Sequence, residues 1–180
     1  MRHLFYLVGI PGVGKTTVFR KALADIPAEQ HTRPFGWIAY PGGAQLGVDR
    51  GVFSGTDALS MNVQPRVLEW LNRCDLPCVV AEGDRLANGQ FFDAVVAQGW
   101  LLTVGLLELD PAIAATRRDM RGSSQNSSWL RGRHTKVANL TRYYVSAEWR
   151  LNARQPVELL ASRLKKHPAF QGLAGDASET

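Results

Sequence analysis

Cysteine is scarce in this sequence, which excludes a disulfide-rich framework. Only two cysteines, Cys74 and Cys78, occur among 180 residues. A zinc site would need two further ligands, and none of the four histidines forms a pair at suitable spacing. Two such thiols are typical of a protein in a reducing compartment. We expect both to be buried or half-buried, and we assign them no chemistry.

Long apolar runs are also missing. The longest stretch, around residues 100–109, is too short to span a bilayer, and the first apolar run leaves no room for a signal peptide. The chain is 45% hydrophobic and 21% charged, as in soluble globular proteins. We expect an intracellular protein without a membrane partner. Its length suits one domain over residues 1–170, with a disordered tail at 171–180.

The strongest motif lies near the N-terminus. Residues 9–17 read GIPGVGKTT and match the phosphate-binding pattern GxxxxGK[ST] without a mismatch. An apolar run precedes the motif and helical spacing follows it, as the pattern requires. The glycines would let backbone N–H groups surround a triphosphate, while Lys15 would contact its β- and γ-phosphates and Thr16 would bind Mg²⁺. We expect nucleotide contacts from Gly9, Pro11, Gly12, Val13, Gly14, Lys15, Thr16 and Thr17.

Apolar runs alternate with amphipathic stretches along the rest of the chain. This alternation is typical of an α/β fold in which helices cover both faces of a parallel sheet. We predict a three-layer P-loop fold with four to five parallel strands, four of them at residues 3–8, 36–40, 77–82 and 101–109. The predicted helices span residues 15–26, 58–74, 88–98, 110–121, 135–149 and 156–164, and Asp110 should cap the fourth.

Positive charge is concentrated in the C-terminal half. Residues 117–166 contain twelve lysines and arginines against three acids, a net +9, which leaves −4 of the total +5 for the rest. A basic region beside a mildly acidic core predicts a polyanionic partner, held through its phosphates. A solvated basic helix face is the alternative.

An apolar run that ends in carboxylates, VVAEGD at residues 79–84, is the second strong signal. At the end of a strand beside the phosphate loop, Glu82 is placed to orient Mg²⁺ through water. Asp84 lies two residues on and would share that side of an extended chain. Either carboxylate could also take a proton from an acceptor hydroxyl, and Asp84 could instead cap the next helix.

A glycine-rich connection, residues 41–57, follows the second predicted strand. An irregular connection of this length is usually functional, and it would lie on the same edge of the sheet as the phosphate loop. We expect it to form a wall of an acceptor site, with Asp57 as base or acceptor anchor and Arg50 on an acceptor phosphate. A simple helix cap is the alternative role of Asp57.

Arginines surround the flexible polar segment 122–128 and predict a lid over about residues 117–136. Arg117 and Arg121 share a helix face by their i,i+4 spacing. An arginine that a closing lid delivers would neutralise charge on a transferred phosphoryl group, an effect of about 10³-fold or more in rate. Trp129 could stack on a base or anchor the lid.

Four segments together resemble the small P-loop kinases of bacteriophages, and among these most closely the 5-hydroxymethyluracil DNA kinases. The segments are GIPGVGKTT, RGVFSGTDALSMNVQP at residues 50–65, VVAEGDRL at 79–86 and SSWLRGRHTKVANL at 127–140, and the likeness spans residues 4–164. The resemblance implies a P-loop kinase fold with an arginine-rich lid. It also implies ATP-dependent phosphorylation of hydroxymethyl groups on modified thymine bases in DNA, in the cytoplasm of an infected host cell.

The resemblance places the acceptor side on residues 55–57, the second carboxylate motif on 82–85 and the lid on 117–136. The catalytic candidates are Lys15, Asp57, Glu82, Arg117 and Arg121, and the metal ligands are Thr16 and Glu82. The acceptor-side candidates are Arg50, Asp57, Asp84, Arg85, Trp129, Arg131, Arg133 and Lys136. Asp57 and Glu82 remain alternatives for the base.

Two other functions compete with this interpretation. In a nucleoside monophosphate kinase, Arg50 and Arg85 would bind the phosphate of a free acceptor nucleotide. A nucleotide-dependent switch would have no acceptor. The sequence disfavours the switch, because it has no guanine-reading NKxD run and carries an arginine-rich lid.

Overall fold

The computed structural model describes residues 1–51, 53–120 and 126–175. The strands found there are β1 (Arg2–Val8), β2 (Glu29–His31), β3 (Trp37–Tyr40), β4 (Gly43–Leu46), β5 (Cys78–Glu82), β6 (Trp100–Glu108) and β7 (Val145–Asn152). The helices are α1 (Lys15–Leu23), α2 (Gln64–Arg73), α3 (Gly89–Ala97), α4 (Pro111–Asp119), α5 (Ser127–Tyr144), α6 (Val157–Lys165) and α7 (Pro168–Leu173). A 3₁₀ turn spans Gly55–Ala58.

These strands form one sheet with the order β2-β3-β4-β5-β1-β6-β7. The five from β4 to β7 in that order run parallel, whereas β2, β3 and β4 pair antiparallel at one side. The prediction of four to five parallel strands is confirmed, since five strands of the sheet run parallel. β2 and β3 add two antiparallel strands, which gives seven strands among the described residues. The carboxyl ends of the parallel strands meet at one edge, called here the carboxyl edge.

Alternate residues of the central strand β1 point to opposite faces of the sheet, and each face carries its own core. Phe5 and Leu7 pack with side chains from α1, α6 and α7. Leu4 and Tyr6 pack on the other face with side chains from α2, α3 and α5. The three-layer α/β architecture predicted from the sequence is therefore confirmed. Burial on both faces explains why β1 and β5 are almost continuously apolar.

The connection predicted at residues 41–57 is in part a strand, which corrects the sequence analysis. β3 turns at Pro41 and Gly42 into β4, which pairs antiparallel with β3 and parallel with β5. The predicted second strand therefore ends away from the carboxyl edge, and β4 brings the chain back to it. The glycines suggested a loop, but they are needed here for close packing. A Cβ at Gly42 would overlap the Gly172 carbonyl oxygen.

The helix predicted at residues 135–149 is also wrong in its bounds. α5 begins at Ser127 and ends at Tyr144, and β7 follows it directly. Trp149 lies in this strand and packs against Phe5, with ring centroids 5.2 Å apart. No glycine or proline separates α5 from β7, so the sequence carries no break signal at the point where the periodicity changes.

Side chains cap the N-termini of α4 and α5, the two helices that contribute residues to the predicted lid. Asp110 caps α4 as expected, since its Oδ1 accepts a hydrogen bond of 2.8 Å from the Ala112 amide. Asn126 caps α5 in the same way through the Ser128 amide at 2.7 Å. The end of the segment predicted to be flexible is thus helical, and residues 122–125 lie outside the described residues.

The remaining predictions concern the two cysteines, the start of α2 and the C-terminal residues. Cys78 is buried and Cys74 is half-buried, and both are free thiols, as expected. Helix α2 begins at Gln64 rather than at residue 58, because the 3₁₀ turn precedes it. α7 includes residues 171–173, which the sequence analysis assigned to the tail, whereas residues 176–180 lie outside the described residues. In the described part of the chain, no helix is long and apolar enough to cross a bilayer.

Candidate active site

The glycine loop between β1 and α1 is built for close backbone approach. Gly12 and Gly14 have φ values of 88° and 101°, a region that favours glycine. A Cβ at Gly12 would lie 2.6 Å from the Ala114 carbonyl oxygen, and one at Gly9 would lie 2.7 Å from that of Leu107. The loop therefore needs glycine at these positions. Its backbone and the N-terminus of α1 form the kind of anion site that a triphosphate fits.

Lys15 lies at the start of α1 and bends over this loop. Its Nζ donates hydrogen bonds to the carbonyl oxygens of Gly9 at 2.8 Å and Ile10 at 3.4 Å. Burial lowers the pKa of the ammonium group, while the charges of Glu82 and Asp57 oppose that shift. The predicted phosphate-binding lysine is thus centred between the loop and two carboxylates. Among the other predicted loop contacts, Val13 is buried and Thr17 is exposed.

Glu82 ends β5 beside the loop and is 2% exposed. Its Oε1 accepts a hydrogen bond of 2.9 Å from the Thr16 hydroxyl. Burial raises the pKa of Glu82 to about 7, although the Lys15 charge opposes the shift. A cavity of about 190 Å³ between α1 and the β3–β4 hairpin opens onto both side chains. Two hard oxygen donors beside a cavity fit a hydrated Mg²⁺ ion.

Asp57 joins the 3₁₀ turn to the turn that follows β5. Its Oδ1 accepts hydrogen bonds from the backbone amides of Asp84 at 2.8 Å and Arg85 at 3.1 Å. Burial raises the pKa of Asp57, and Lys15 is the largest opposing influence. Asp57 does not cap α2, which was the alternative role, because α2 starts seven residues later. It caps the turn at Asp84 and Arg85 instead. Below it, the Tyr6 hydroxyl and Thr56 Oγ1 share a buried hydrogen bond of 2.9 Å.

Asp84 does not share a side with Glu82, which corrects the expectation from an extended chain. Gly83 has a φ of 111°, so the chain turns sharply between the two acids. Asp84 pairs with Arg133 and, at 3.1 Å, with Lys136 on α5. Because α1 and α5 cover opposite faces of the sheet, the two carboxylates point to opposite layers.

α5 brings two cations, Arg133 and Lys136, to Asp84. Lys136 Nζ donates to the Asp84 carbonyl oxygen at 2.8 Å, and burial together with the nearby Arg133 charge lowers the pKa of Lys136 to about 8. Trp129 is 39% exposed, and the Arg133 guanidinium stacks over its ring at 4.9 Å. Both residues belong to α5, so the contact lies within one helix, and part of the Trp129 ring stays exposed.

Two arginines at the end of α4 reach the glycine loop. Arg117 Nη1 donates to the Val13 carbonyl oxygen at 3.3 Å, and Arg118 Nη1 donates to that of Pro11 at 2.7 Å. Arg117 was a predicted catalytic residue, whereas Arg118 was not selected as one. The position of Arg118 next to Arg117 in the sequence was the signal that could have identified it as a loop-contacting residue. Arg121 lies outside the described residues.

A family model described as P-loop Nucleotide Kinase3 matches residues 1–165. The chain belongs to the P-loop Nucleotide Kinase3 family. It is therefore a P-loop kinase and a phosphotransferase, and the loop at residues 9–17 is its nucleotide-binding motif.

Two solved structures are similar to this kinase over nearly its whole length. A sugar kinase from Janibacter sp. HTCC2649, in an unliganded structure, is 16% identical, with a TM-score of 0.51 and coverage of 97% of this chain and 96% of that chain. A gluconokinase from Sinorhizobium meliloti 1021 is also 16% identical, with a TM-score of 0.45 and coverage of 97% and 94%. The likeness to the sugar kinase is one of fold. A search of curated proteins finds no match.

Some residues predicted for the acceptor side of the kinase have few side-chain contacts among the described residues. Arg50 and Arg131 are exposed, and no hydrogen bond or ion pair of either side chain is found among the described residues. Arg85 is closer, because its backbone amide binds Asp57 and its Nη1 contacts Met61 Sδ. Its Nε is buried and has no hydrogen-bond partner among the described residues. Arg85 thus provides one buried donor that the described residues do not satisfy.

Proposed function

We propose that this P-loop kinase transfers the γ-phosphate of ATP to the hydroxymethyl group of 5-hydroxymethyluracil bases in DNA. The observation that carries the proposal is the cluster of cations beside Asp57, formed by Arg85, Arg133 and Lys136. Such a cluster favours an acceptor that is itself anionic, and the adjacent carboxylate favours a hydroxyl acceptor. The sequence resemblance to phage DNA kinases favours a modified base within DNA as the acceptor. The kinase would then act in the cytoplasm of an infected cell.

The donor half of the reaction uses the glycine loop and α1. Thr16 and Glu82 would hold Mg²⁺, Glu82 directly or through water, and the ion would offset the negative charge of the nucleotide phosphates. Lys15 would turn from the loop carbonyls to the phosphates. Arg117 and Arg118 already lie against the loop, where their charge would stabilise the phosphoryl group during transfer.

We assign the base to Asp57 and the metal side to Glu82. Glu82 is bonded to the same Thr16 hydroxyl that would bind Mg²⁺. Asp57 holds both amide hydrogen bonds on Oδ1, and no bond to Oδ2 is found among the described residues. Oδ2 would take the proton from the acceptor hydroxyl while the hydroxyl oxygen bonds to the γ-phosphorus and the bond to the β–γ bridging oxygen breaks. A raised pKa makes Asp57 a stronger base than an exposed aspartate.

A nucleoside monophosphate kinase is the second candidate. The buried Nε of Arg85 has no partner among the described residues, and a phosphate on a free acceptor nucleotide would provide one. In this alternative, Asp57 and the donor side keep their roles, and the acceptor oxygen belongs to a phosphate rather than to a hydroxymethyl group.

The acceptor is tested by offering γ-labelled ATP with DNA that contains 5-hydroxymethyluracil, with unmodified DNA of the same sequence, and with each deoxynucleoside monophosphate. We expect label only on the modified DNA, and we expect the rate to fall steeply between low and moderate salt because phosphate contacts release counterions. Label on a mononucleotide alone, with little dependence on salt, would support the second candidate and contradict the first.

A further inference from the structure

Phe53 is an exposed aromatic residue that lies four positions before Asp57 in the sequence. Its relative exposure is 60%, and the aromatic and cation–π contacts of the described residues include none with its ring. Exposure of one apolar residue is common on protein surfaces. The backbone around Phe53 and its place at the carboxyl edge distinguish it from the other exposed side chains.

A short antiparallel bridge holds Phe53 at a projecting tip. The Arg50 amide donates to the Phe53 carbonyl oxygen at 2.8 Å, and the Phe53 amide donates back to that of Arg50 at 3.3 Å. Gly51 has a φ of 62°, and a Cβ built there meets no atom within 4 Å. Gly51 therefore borders open space, and Phe53 lies opposite the exposed Arg50.

The base of this projection is fixed to the body of the kinase on both sides. Before it, Val48 is 1% exposed and Asp49 forms an ion pair with Arg20 on α1. After it, Gly55 packs so closely on Glu82 that a Cβ there would lie 2.5 Å from Glu82 Oε1. An aromatic ring is thus carried on a short, anchored projection only four residues before Asp57.

Resting on the proposed function, we propose that Phe53 is a wedge that enters the base stack of DNA and fills the space left by the turned-out acceptor base. A hydroxymethyl group on a base within a duplex cannot reach a buried carboxylate unless the base leaves the stack. Apolar side chains, phenylalanine among them, are inserted between base steps by proteins that unstack DNA. Arg50, held opposite Phe53, provides a cation for a phosphate that flanks the gap.

The wedge is tested by comparing two substrates that differ only in whether the target base is stacked. One is duplex DNA with 5-hydroxymethyluracil paired to adenine, and the other is the same strand without its complement. We expect Phe53→Ala to lower kcat/KM on the duplex by about tenfold or more and to change it on the single strand by about twofold or less. Phe53→Trp should keep most of the duplex activity. The control is Val96→Ala, which shortens a 54% exposed side chain at the end of α3 and should affect neither substrate.

A second measurement reports the opening of the stack without turnover. With 2-aminopurine placed beside the target base, binding of the wild-type kinase should increase fluorescence, and binding of Phe53→Ala should increase it much less. Equal losses of activity on duplex and single strand, or no loss on either, would overturn the wedge while the wild-type activity on DNA upheld the proposed function. Wild-type transfer to mononucleotides alone would overturn both.

Discussion

Glu82 and Asp84 lie two residues apart in the sequence and point to opposite layers of the fold. Glu82 accepts a hydrogen bond from Thr16 on α1, whereas Asp84 pairs with Lys136 on α5. Gly83 makes this reversal possible through its φ of 111°. One tight turn therefore connects the carboxylate beside the glycine loop to the helix that carries Arg133 and Lys136.

Gly83→Ala should destabilise the turn that holds Glu82 and Asp84 in place. A Cβ there would lie 2.7 Å from Thr56 Oγ1, and the left-handed φ is strained for alanine, so we expect a loss of about 1–3 kcal/mol in the free energy of unfolding. Urea denaturation measures it. Gly132→Ala is the matched control, since a Cβ at that position in α5 meets no atom within 4 Å. It should stabilise the kinase by up to about 1 kcal/mol, and equal effects of the two variants would refute the account of Gly83.

Asp57→Asn should separate chemistry from nucleotide binding. If Asp57 is the base, kcat should fall by about 10²–10⁴-fold while the Kd for ATP stays near the wild-type value. Asparagine can still accept the amide hydrogen bonds of the turn. Asp49→Asn is the control, because Asp49 is exposed and pairs only with Arg20 among the described residues. An unchanged kcat in Asp57→Asn would assign the base elsewhere.

Glu82→Gln should weaken metal binding more than it weakens nucleotide binding. The Mg²⁺ concentration that gives half-maximal rate should rise by about 10–100-fold, because the carboxylate that supports Thr16, the proposed metal ligand, is lost. A titration of the rate with Mg²⁺ at saturating ATP measures the shift. The same Mg²⁺ requirement as in the wild type would exclude Glu82 from the metal side.

Glu82 should also make stability depend on pH. Its pKa is about 7 in the folded kinase against 4.5 for the ordinary glutamate, so the folded state binds more protons between these values. Stability should therefore fall as pH rises through this range, by about 3 kcal/mol at most. Glu82→Gln should remove that dependence, which urea denaturation at pH 5 and pH 8 detects. A parallel pH profile in wild type and variant would show that Glu82 titrates normally.

Lys136 should set an upper pH limit on acceptor binding. Its pKa is about 8, so the ammonium charge is lost as pH rises through that value. KM for the acceptor should consequently increase above pH 8 in the wild type. Lys136→Arg stays charged and should move the increase to higher pH. Identical profiles for the two proteins would mean that Lys136 does not bind the acceptor.

The sequence was sufficient to predict the structure around the glycine loop, because that structure depends on local patterns. The motif at residues 9–17 requires a strand before it and a helix after it, and both form. Glu82 was identifiable because an apolar strand ends in a carboxylate beside that loop. Burial on both sheet faces made β1 and β5 recognisable without any knowledge of their partners.

The acceptor side depends on contacts between distant segments, which no local pattern carries. The φ of Gly83 determines that Asp84 faces α5. Glycine adopts both positive and negative φ, so the sequence alone does not predict this angle. Asp57 caps a turn 27 residues away rather than its own helix. The glycines at residues 42–43 suggested a loop because close packing between strands and α7 uses the same residue type as a flexible connection.

In the proposed reaction, the phosphoryl group goes to a hydroxymethyl oxygen on a base in DNA. Mass spectrometry of nucleosides identifies the product after digestion of hydroxymethyluracil DNA treated with the kinase and ATP. We expect a hydroxymethyldeoxyuridine that carries one added phosphoryl group, and we expect none with Lys15→Ala. Unmodified hydroxymethyldeoxyuridine, with phosphate found only on strand ends or on free nucleotides, would contradict it.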